Sequence, residues 1–386
     1  MIALTDAARS RIGAAARRHL GDDQVPGLVA LVAVGSEVHV EALGSLTIGG
    51  APVARDSIFR IASTTKPITA AATLALVAEG RLDLDEPVDR LLPELADRRV
   101  LRRMDGPLDE TVPARRSITP RDLLTFTFGF GMDTGMFTAP TPWPVVEAAE
   151  ALHLATIGPP DPGRQPDPDT WIAGLGGLPL LAQPGERWLY NTGASVLGVL
   201  LARAAGEPIG TVLRTRIFEP LGMTDTAFHV SRPDRLATSY RPTPAGLVVV
   251  DPPAGVWSRP PAFGDAAAGL VSTVDDLLAF ARMLLAGGKP VLPADAARAM
   301  TTDQLTPAQK AAGGLGPDFF SGRSWGYGQA VRADGAFGWD GGLGTSWLVD
   351  PNHDLTVVVL TQRMFESPAT PRVHLDVQAA AYAALA

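Results

Sequence analysis

The sequence predicts an α/β fold of the α+β type, with one domain built from both ends of the chain and a second domain inserted between them. Strand-like segments lie near the N-terminus and again near the C-terminus, and the long middle of the chain is helical and rich in loops. Strands that are distant in sequence can share one sheet, while an intervening run of helices packs separately. We therefore expect residues 1–85 and 262–386 to form an α/β domain and residues 86–261 to form a helical, loop-rich insertion.

The first 44 residues predict a helix followed by a β-hairpin. Residues 1–23 place four arginines among alanines without an apolar core segment, which is typical of an amphipathic surface helix and not of a signal peptide. Two β-rich runs follow, LVALVAVG and EVHVEALG, and Gly35-Ser36 between them predicts the hairpin turn. No apolar run reaches the ~18 residues that a membrane span needs. We expect a cytoplasmic protein that has no membrane partner.

A helix is predicted to begin at about Ser63. DSIFRIAS ends there, and TTKPITAAATLALVAEG follows with helical spacing up to Gly80, which is typical of a helix end. Pro67 is compatible with a helix only in its first turn. This places Ser63 and Lys66, three residues apart, on one face of the first turn.

Ser63 and Lys66 are the residue types that a serine nucleophile and its base require. A serine hydroxyl needs a base to take its proton, and a lysine can be that base where burial lowers its pKa. Only three of the 33 basic residues are lysines, so the chain uses lysine sparingly. Arginine does not lose its proton in proteins and could not replace Lys66 in this role.

The middle of the chain, from about Leu82 to Arg259, predicts helices joined by long loops. Residues 140–168 contain eight prolines and predict an irregular excursion. Two interpretations stay open for that segment: a surface loop, or a wall or lid over a substrate cleft.

The last third predicts a capped helix, a group of antiparallel strands and a final helix. In GLVSTVDDLLAFARMLLAGG, Ser272 or Thr273 can cap a helix that ends at Gly287-Gly288. WGYGQAV, GAFGWDGGLGTSWLVD and LTVVVLTQ alternate or run apolar between Gly and Pro, as strands do. VHLDVQAAAYAALA predicts the closing helix.

Composition and missing motifs exclude several classes of function. The net charge of −8 argues against nucleic-acid binding, and the one dense basic run, RRVLRR at 98–103, predicts a solvated helix face. The chain has no cysteine, and its six histidines lack ligand spacing, so we expect neither a metal nor a cofactor. The G-x-S-x-G, H-E-x-x-H, P-loop and dinucleotide-binding patterns are absent.

Five segments in order resemble the serine β-lactamase and penicillin-binding-protein superfamily, and most of all its class C β-lactamase-like esterases, the family VIII carboxylesterases. The segments are FRIASTTKPITAAATLALVAEGRLDLDEPV, SITPRDLLTFTFGFG, PGERWLYNTGASVLGVLLARAAG, AAGLVSTVDDLLAFARMLL and GWDGGLGTSWLVDP. The resemblance covers nearly the whole chain. It implies a β-lactamase-like three-layer sandwich with a central antiparallel sheet flanked by helices.

The resemblance also implies roles for individual residues. Ser63 becomes the acylated nucleophile, Lys66 its proton acceptor and Tyr190 the group that relays the proton across the cleft. The oxyanion hole would be formed by the backbone N–H groups of Ser63 and Gly342. A Tyr190 phenolate would be stabilised by the positive charge of Lys66.

Two departures from the family pattern favour neutral substrates. In the superfamily an asparagine usually follows the active-site tyrosine by two positions; here that position is Thr192, and asparagine is one position earlier, at Asn191. The third active-site motif of the superfamily usually opens with a Lys or His; here it opens with Trp339, followed by Asp340. A substrate carboxylate would therefore lose a charge-assisted contact worth roughly 1.5–3 kcal/mol.

The expected substrate-binding residues are Trp339, Gly341, Asn191 and Phe128. Phe128 belongs to a group that either lines an apolar pocket or packs in the core; its other members are Phe130, Met132, Met136 and Trp143.

We therefore expect a serine carboxylesterase that cleaves small to medium neutral esters through an acyl-enzyme on Ser63. Three alternatives stay open. The first is a β-lactamase, D-aminopeptidase or other amide hydrolase that uses the same intermediate. The second is an acyltransferase, and the third is a non-catalytic sensor that binds acyl ligands.

Overall fold

The computed structural model describes residues 4–21, 24–316 and 318–385. Its strands are β1 (Gly27–Val34), β2 (Glu37–Gly44), β3 (Phe59–Arg60), β4 (Arg99–Leu101), β5 (Thr111–Pro113), β6 (Ser239–Thr243), β7 (Gly246–Asp251), β8 (Val271–Ser272), β9 (Arg323–Trp325), β10 (Ala330–Arg332), β11 (Phe337–Gly341), β12 (Thr345–Asp350) and β13 (Leu355–Thr361). The largest sheet has seven strands in the order β2-β1-β13-β12-β11-β10-β9, and neighbouring strands are antiparallel. Three two-stranded sheets pair β3 with β8, β4 with β5, and β6 with β7.

Helices account for much of the rest of the described chain. A π-helical turn, Arg214–Phe218, joins two of the short helices. The α-helices are α1 (Asp6–Arg17), α2 (Thr65–Ala78), α3 (Pro120–Leu124), α4 (Thr134–Thr138), α5 (Pro144–Ala151), α6 (Pro168–Gly177), α7 (Thr192–Ala205), α8 (Ile209–Leu213), α9 (Glu219–Leu221), α10 (Val274–Leu285), α11 (Ala294–Met300), α12 (Pro307–Ala312) and α13 (Arg372–Tyr382).

The central sheet is covered by helices on both faces. Side chains alternate across a strand, so β1 sends Val29 and Leu31 to one face and Leu28 and Ala30 to the other. The first face packs in one core with α2 and α10, and the second face packs with α1 and α13. Because both faces are covered, β1 and β13 are buried along their whole length. The predicted three-layer α/β architecture with a central antiparallel sheet is confirmed.

The sheet is built from both ends of the chain, since β1 and β2 pair beside strands that come from residues 323–361. Helices α3 to α9 lie in the sequence between these two groups of strands. The exact domain limits, 1–85 with 262–386 and 86–261, stay predictions.

Several sequence-predicted elements are confirmed at residue level. β1 and β2 flank Gly35-Ser36, and α2 starts two residues after Ser63. Thr273, and not Ser272, caps α10 by accepting a hydrogen bond from the Asp276 N–H.

Two local predictions are wrong. RRVLRR is not a solvated helix face: it contains β4, and Arg98 is buried with its guanidinium donating to carbonyl oxygens of Leu175 and Leu178 at the end of α6. Residues 140–168 are not wholly irregular, because they contain α5, which buries Val145 and Ala149. In both segments the structure depends on contacts with residues distant in sequence, and a local sequence pattern contains no information about such contacts.

In the described part of the chain, no single helix is long and apolar enough to cross a membrane. One pair passes that test only when taken together, Thr192–Ala205 with Ile209–Leu221, and the two are bent by 83°. Within the same residues, no group of three or more His, Cys, Asp or Glu side chains is placed to hold a metal ion.

Candidate active site

Ser63 lies on a short 3₁₀ turn, Ala62–Thr64, between β3 and α2. Ala62 has a φ of 42°, a left-handed conformation that costs a non-glycine residue about 1–3 kcal/mol unless its surroundings hold it. Those surroundings include Thr345 on β12, whose hydroxyl donates to the Ile61 carbonyl at 3.0 Å. The turn therefore presents Ser63 from a backbone that the central sheet holds in place.

β11 approaches this turn closely because Gly341 has no side chain. A Cβ atom at Gly341 would overlap the carbonyl oxygen of Ile61. Glycine is thus required at this position for packing, since the strand and the turn share the space that a methyl group would fill.

Lys66 projects from the first turn of α2 onto the Ser63 hydroxyl. Its Nζ lies 2.9 Å from Ser63 Oγ and donates to the Ala267 carbonyl, also at 2.9 Å. Lys66 is only 1% exposed. Burial lowers the pKa of Lys66 to about 7, and the negative charge of Asp265 opposes that shift. A neutral amine is therefore accessible near neutral pH, as a general base requires.

Tyr190 faces the same pair from the segment before α7. Its ring centroid lies 4.7 Å from Lys66 Nζ, and its hydroxyl accepts a hydrogen bond from Trp339 Nε1 at 2.6 Å. Burial raises the pKa of Tyr190 well above its usual value, and polar contacts with Ser63 and Trp339 offset only part of this. The expected phenolate is thus corrected: the resting site holds a neutral phenol beside a lysine of low pKa.

The third-motif strand β11 supplies the opposite wall. Trp339 and Gly342 line the cavity, and no described residue accepts a hydrogen bond from the Gly342 N–H. Asp340 is also at the wall, where its carboxylate accepts a hydrogen bond from the Thr370 hydroxyl at 2.5 Å. Burial raises the pKa of Asp340.

Ser63 opens into a cavity of about 370 Å³ whose lining is mostly apolar. Of the lining residues that the structure describes, Arg323 is the only Arg or Lys, and its guanidinium carbon lies 5.5 Å from the Phe319 ring centroid. The lining is Ala62, Ser63, Met132, Phe137, Gly158, Pro159, Pro160, Tyr190, Asn191, Ala268, Leu315, Arg323, Trp339, Asp340, Gly342, Leu343, Met364, Phe365, Glu366, Ser367, Pro368 and Thr370.

The predicted substrate-binding residues divide into two groups. Trp339 and Asn191 line the cavity, and Asn191 has a φ of 84° where the chain turns into α7. Phe128 does not: it is fully buried in the main hydrophobic core, so its assignment to the substrate pocket is wrong. Gly341 is buried against Ile61 instead of facing the cavity.

The other apolar candidates also divide between cavity and core. Met132 is at the cavity, whereas Phe130 is buried in the main core, and Met136 and Trp143 pack against that core. Whether an apolar side chain lines the cavity or packs in the core depends on neighbours that are distant in sequence. The local sequence pattern does not identify these neighbours.

Sequence reasoning left one stretch of the cavity wall open between two interpretations, and it missed a second stretch and one buried acid. Gly158–Pro160, from the proline-rich segment, and Met364–Pro368, after β13, both line the cavity. The first agrees with the interpretation of that segment as a cleft wall. Asp265 is 3% exposed and acts on the charge of Lys66. The sequence around it gives no local signal, because its partners Lys66 and Ser195 are distant along the chain.

Together these groups form a nucleophile, a buried base and a phenol at the end of an apolar cavity. The amine can take the serine proton, and the phenol lies next to both of them. The arrangement is suited to nucleophilic attack on a carbonyl carbon, with a covalent acyl intermediate on Ser63.

Comparisons with known proteins give a matching family and several relatives. Residues 12–381 match the protein family described as Beta-lactamase. The chain is 39% identical over 332 residues to Protein Rv1367c of Mycobacterium tuberculosis, which covers 81% of this chain and 79% of that protein. It is 31% identical over 395 residues to Esterase EstB of Burkholderia gladioli, with coverage of 94% and 92%. The solved structure of EstCE1, described as a hydrolase with promiscuous acyltransferase activity, has a TM-score of 0.82 and 25% identity, and covers 98% of this chain and all of its own.

Proposed function

Because the chain belongs to the Beta-lactamase family, we propose that it is a serine carboxylesterase that cleaves small to medium neutral esters through a Ser63 acyl-enzyme. One observation carries the proposal: a fully buried lysine of low pKa lies 2.9 Å from the hydroxyl of the serine that opens into the cavity. A serine and lysine placed for structure alone would not need a buried, neutralised amine.

Acylation begins when neutral Lys66 takes the Ser63 proton as Oγ attacks the ester carbonyl carbon. The oxyanion that develops is bound by the backbone N–H groups of Ser63 and Gly342. The proton then passes from Lys66, through Tyr190, to the departing alkoxide. The C–O bond to the alcohol breaks, and the acyl group stays on Ser63.

Deacylation reverses these roles. A water molecule attacks the acyl-enzyme carbonyl and gives a proton to Tyr190, which passes its own phenol proton to neutral Lys66; the Ser63 oxygen then takes a proton from Lys66 as it leaves. The carboxylic acid is released and the site returns to its starting protonation state. The hydrogen bond from Trp339 Nε1 fixes the Tyr190 hydroxyl for both transfers.

A preference for neutral esters over β-lactams follows from the third-motif strand. At this position of the strand, Trp339 gives the wall an indole N–H, which is already bonded to Tyr190, in place of a cation. The cation that does line the cavity, Arg323, has its guanidinium carbon 5.5 Å from the Phe319 ring centroid. The apolar lining favours uncharged acyl or alcohol groups. We expect p-nitrophenyl esters to be hydrolysed faster than a chromogenic cephalosporin.

Replacing Ser63 by Ala tests the nucleophile directly. We expect ester hydrolysis to stop and the acyl adduct, detected by intact mass after mixing with substrate, to disappear. Ser367→Ala is the matched control, since Ser367 lines the same cavity without contacting Lys66 in the described structure. Survival of the adduct in Ser63→Ala would mean that another residue is the nucleophile.

Acyl transfer is the second candidate, and the likeness to EstCE1, described as having promiscuous acyltransferase activity, favours it. The two activities share the acyl-enzyme and differ only in whether water or an alcohol attacks it. Product analysis in the presence of an added primary alcohol separates them, because a transferase forms the new ester at the expense of the free acid.

A further inference from the structure

We propose that the buried carboxylate of Asp265 is a positioning residue for the base Lys66: it orders the loop that binds the lysine amine and supplies the negative charge that faces it. The inference rests on the proposed function, in which Lys66 activates Ser63. Asp265 itself is not among the residues that line the cavity.

The first argument is the hydrogen bonding of the loop 265–269. The Asp265 carboxylate accepts from the Ala267 N–H at 2.9 Å, and its own carbonyl accepts from the Gly269 N–H at 2.7 Å. This folds the loop so that two successive carbonyls point at α2. The Ala266 carbonyl accepts from the Thr69 hydroxyl at 2.7 Å, and the Ala267 carbonyl accepts from Lys66 Nζ at 2.9 Å.

The second argument is the attachment of the carboxylate to a second helix. Ser195 on α7 donates its hydroxyl to Asp265 at 2.8 Å. Asp265 therefore links α7 to the loop that holds the base. A movement of either element would move the lysine amine relative to Ser63.

The third argument is charge. Asp265 is 3% exposed and Lys66 is 1% exposed, and an ionised group at such depth is costly without an opposite charge. Around Lys66 the ionisable groups are Asp265, from the loop, and Tyr190, from the segment before α7. Asp340 acts on Tyr190 instead. Around Asp265 the facing groups are Lys66, Ser195 and Gln165.

The two roles have different consequences. Burial alone lowers the pKa of Lys66, and Asp265 raises it, so the two together place it at about 7. Without the negative charge of Asp265, the pKa of Lys66 would be lower. The amine would then stay neutral down to a lower pH and would be a weaker base. The acid thus adjusts the base to near-neutral conditions while it fixes the position of the amine.

The test is the pH dependence of Ser63 acylation in Asp265→Asn, measured as the pre-steady-state burst with a p-nitrophenyl ester. Asparagine keeps the shape and can still accept from Ala267 and Ser195, but it removes the charge. We expect the midpoint of the limb that rises from acid pH to move down by about one pH unit or more. We also expect the burst rate on the plateau to fall several-fold, since the weaker base takes the proton less readily.

Two further variants make the result decisive. Ser195→Ala removes one hydrogen-bond donor to the Asp265 carboxylate, and this favours the protonated, neutral form of that carboxyl group. We therefore expect the midpoint to shift in the same direction as in Asp265→Asn, by a smaller amount. If Asp265→Asn does not fold, Ser195→Ala provides the test. Thr69→Val removes an uncharged anchor of the same loop and should lower the melting temperature without moving the midpoint. An unchanged midpoint in Asp265→Asn, or an equal shift in Thr69→Val, overturns the proposal. A wild-type protein that neither hydrolyses the p-nitrophenyl ester nor forms an acyl adduct on Ser63 would instead contradict the proposed function.

Discussion

The chemistry of Lys66 depends on its ability to lose a proton, which an arginine in the same place cannot do. Lys66→Arg keeps the positive charge and much of the side-chain length, but arginine stays protonated. We expect kcat/KM for a p-nitrophenyl ester to fall by about 10²–10⁴-fold, the usual contribution of a general base. The matched control is Lys289→Arg at an exposed position, which should retain activity. If Lys66→Arg were as active as the wild-type enzyme, Lys66 could not be the general base.

The pH profile of the wild-type enzyme should follow the titration of Lys66. Burial lowers the pKa of its amine to about 7, so the neutral, proton-accepting form predominates above that pH. Below pH 7 the active fraction falls tenfold for each pH unit. We expect kcat/KM to rise with a slope of one up to about pH 7 and then to level off. A profile that is flat from pH 5 to pH 8 would be inconsistent with this base.

Between elements, the position of β11 against the nucleophile turn depends on the absence of a side chain at Gly341. In Gly341→Ala the new methyl group would overlap the Ile61 carbonyl, so the strand and the turn must separate. We expect a loss of stability of about 1–3 kcal/mol, typical of overpacking, together with a large loss of kcat/KM.

A matched glycine shows whether that effect is local. Gly177, at the end of α6, is exposed, and no neighbouring atom lies within 4 Å of the place that an added methyl group would take. Gly177→Ala should therefore leave both melting temperature and kcat/KM close to wild type. If Gly341→Ala behaves in the same way, the close approach of strand and turn is not important for the reaction.

For the whole molecule, His374 predicts a sensitivity to acid that is separate from catalysis. It lies on α13 under the central sheet, fully buried, and neither ring nitrogen has a hydrogen-bond partner among the described residues. Burial, with a smaller effect of His19, lowers the pKa of His374 to about 3. Below pH 6.5 the imidazole of His374 takes up a proton in the unfolded chain but not in the folded chain. The free energy of unfolding is therefore unaffected by His374 above pH 6.5 and decreases as the pH falls towards 3.

The expected loss is about 1.4 kcal/mol for each pH unit below 6.5, or about 2 kcal/mol at pH 5. His374→Leu has a similar volume and no titration, so its free energy of unfolding should change less between pH 7 and pH 5. Urea denaturation at the two pH values measures this difference. His229→Gln, at a half-buried position, serves as the comparison, and an equal reduction in both variants would exclude His374 as the source.

The outcome for single residues shows where sequence reasoning stops. Lys66 can be identified from sequence because its residue type, its spacing from Ser63 and the scarcity of lysine all agree with one chemistry. Phe128 cannot be placed in the same way, because an aromatic residue near a motif has the same local pattern in a core as in a pocket. Asp265 escapes sequence reasoning because its partners Lys66 and Ser195 lie 199 and 70 positions away in sequence.

The sequence by itself determined the fold class, the antiparallel sheet from both termini and the first turn that pairs serine with lysine. These follow from short-range patterns: hydrophobic period, turn residues and the geometry of one helical turn. The tertiary structure alone decided the protonation states of Lys66 and Tyr190, the lining of the cavity and the place of Asp265. Burial and charge depend on residues that meet only when the chain has folded, and a pKa responds to that environment and not to the neighbours along the chain.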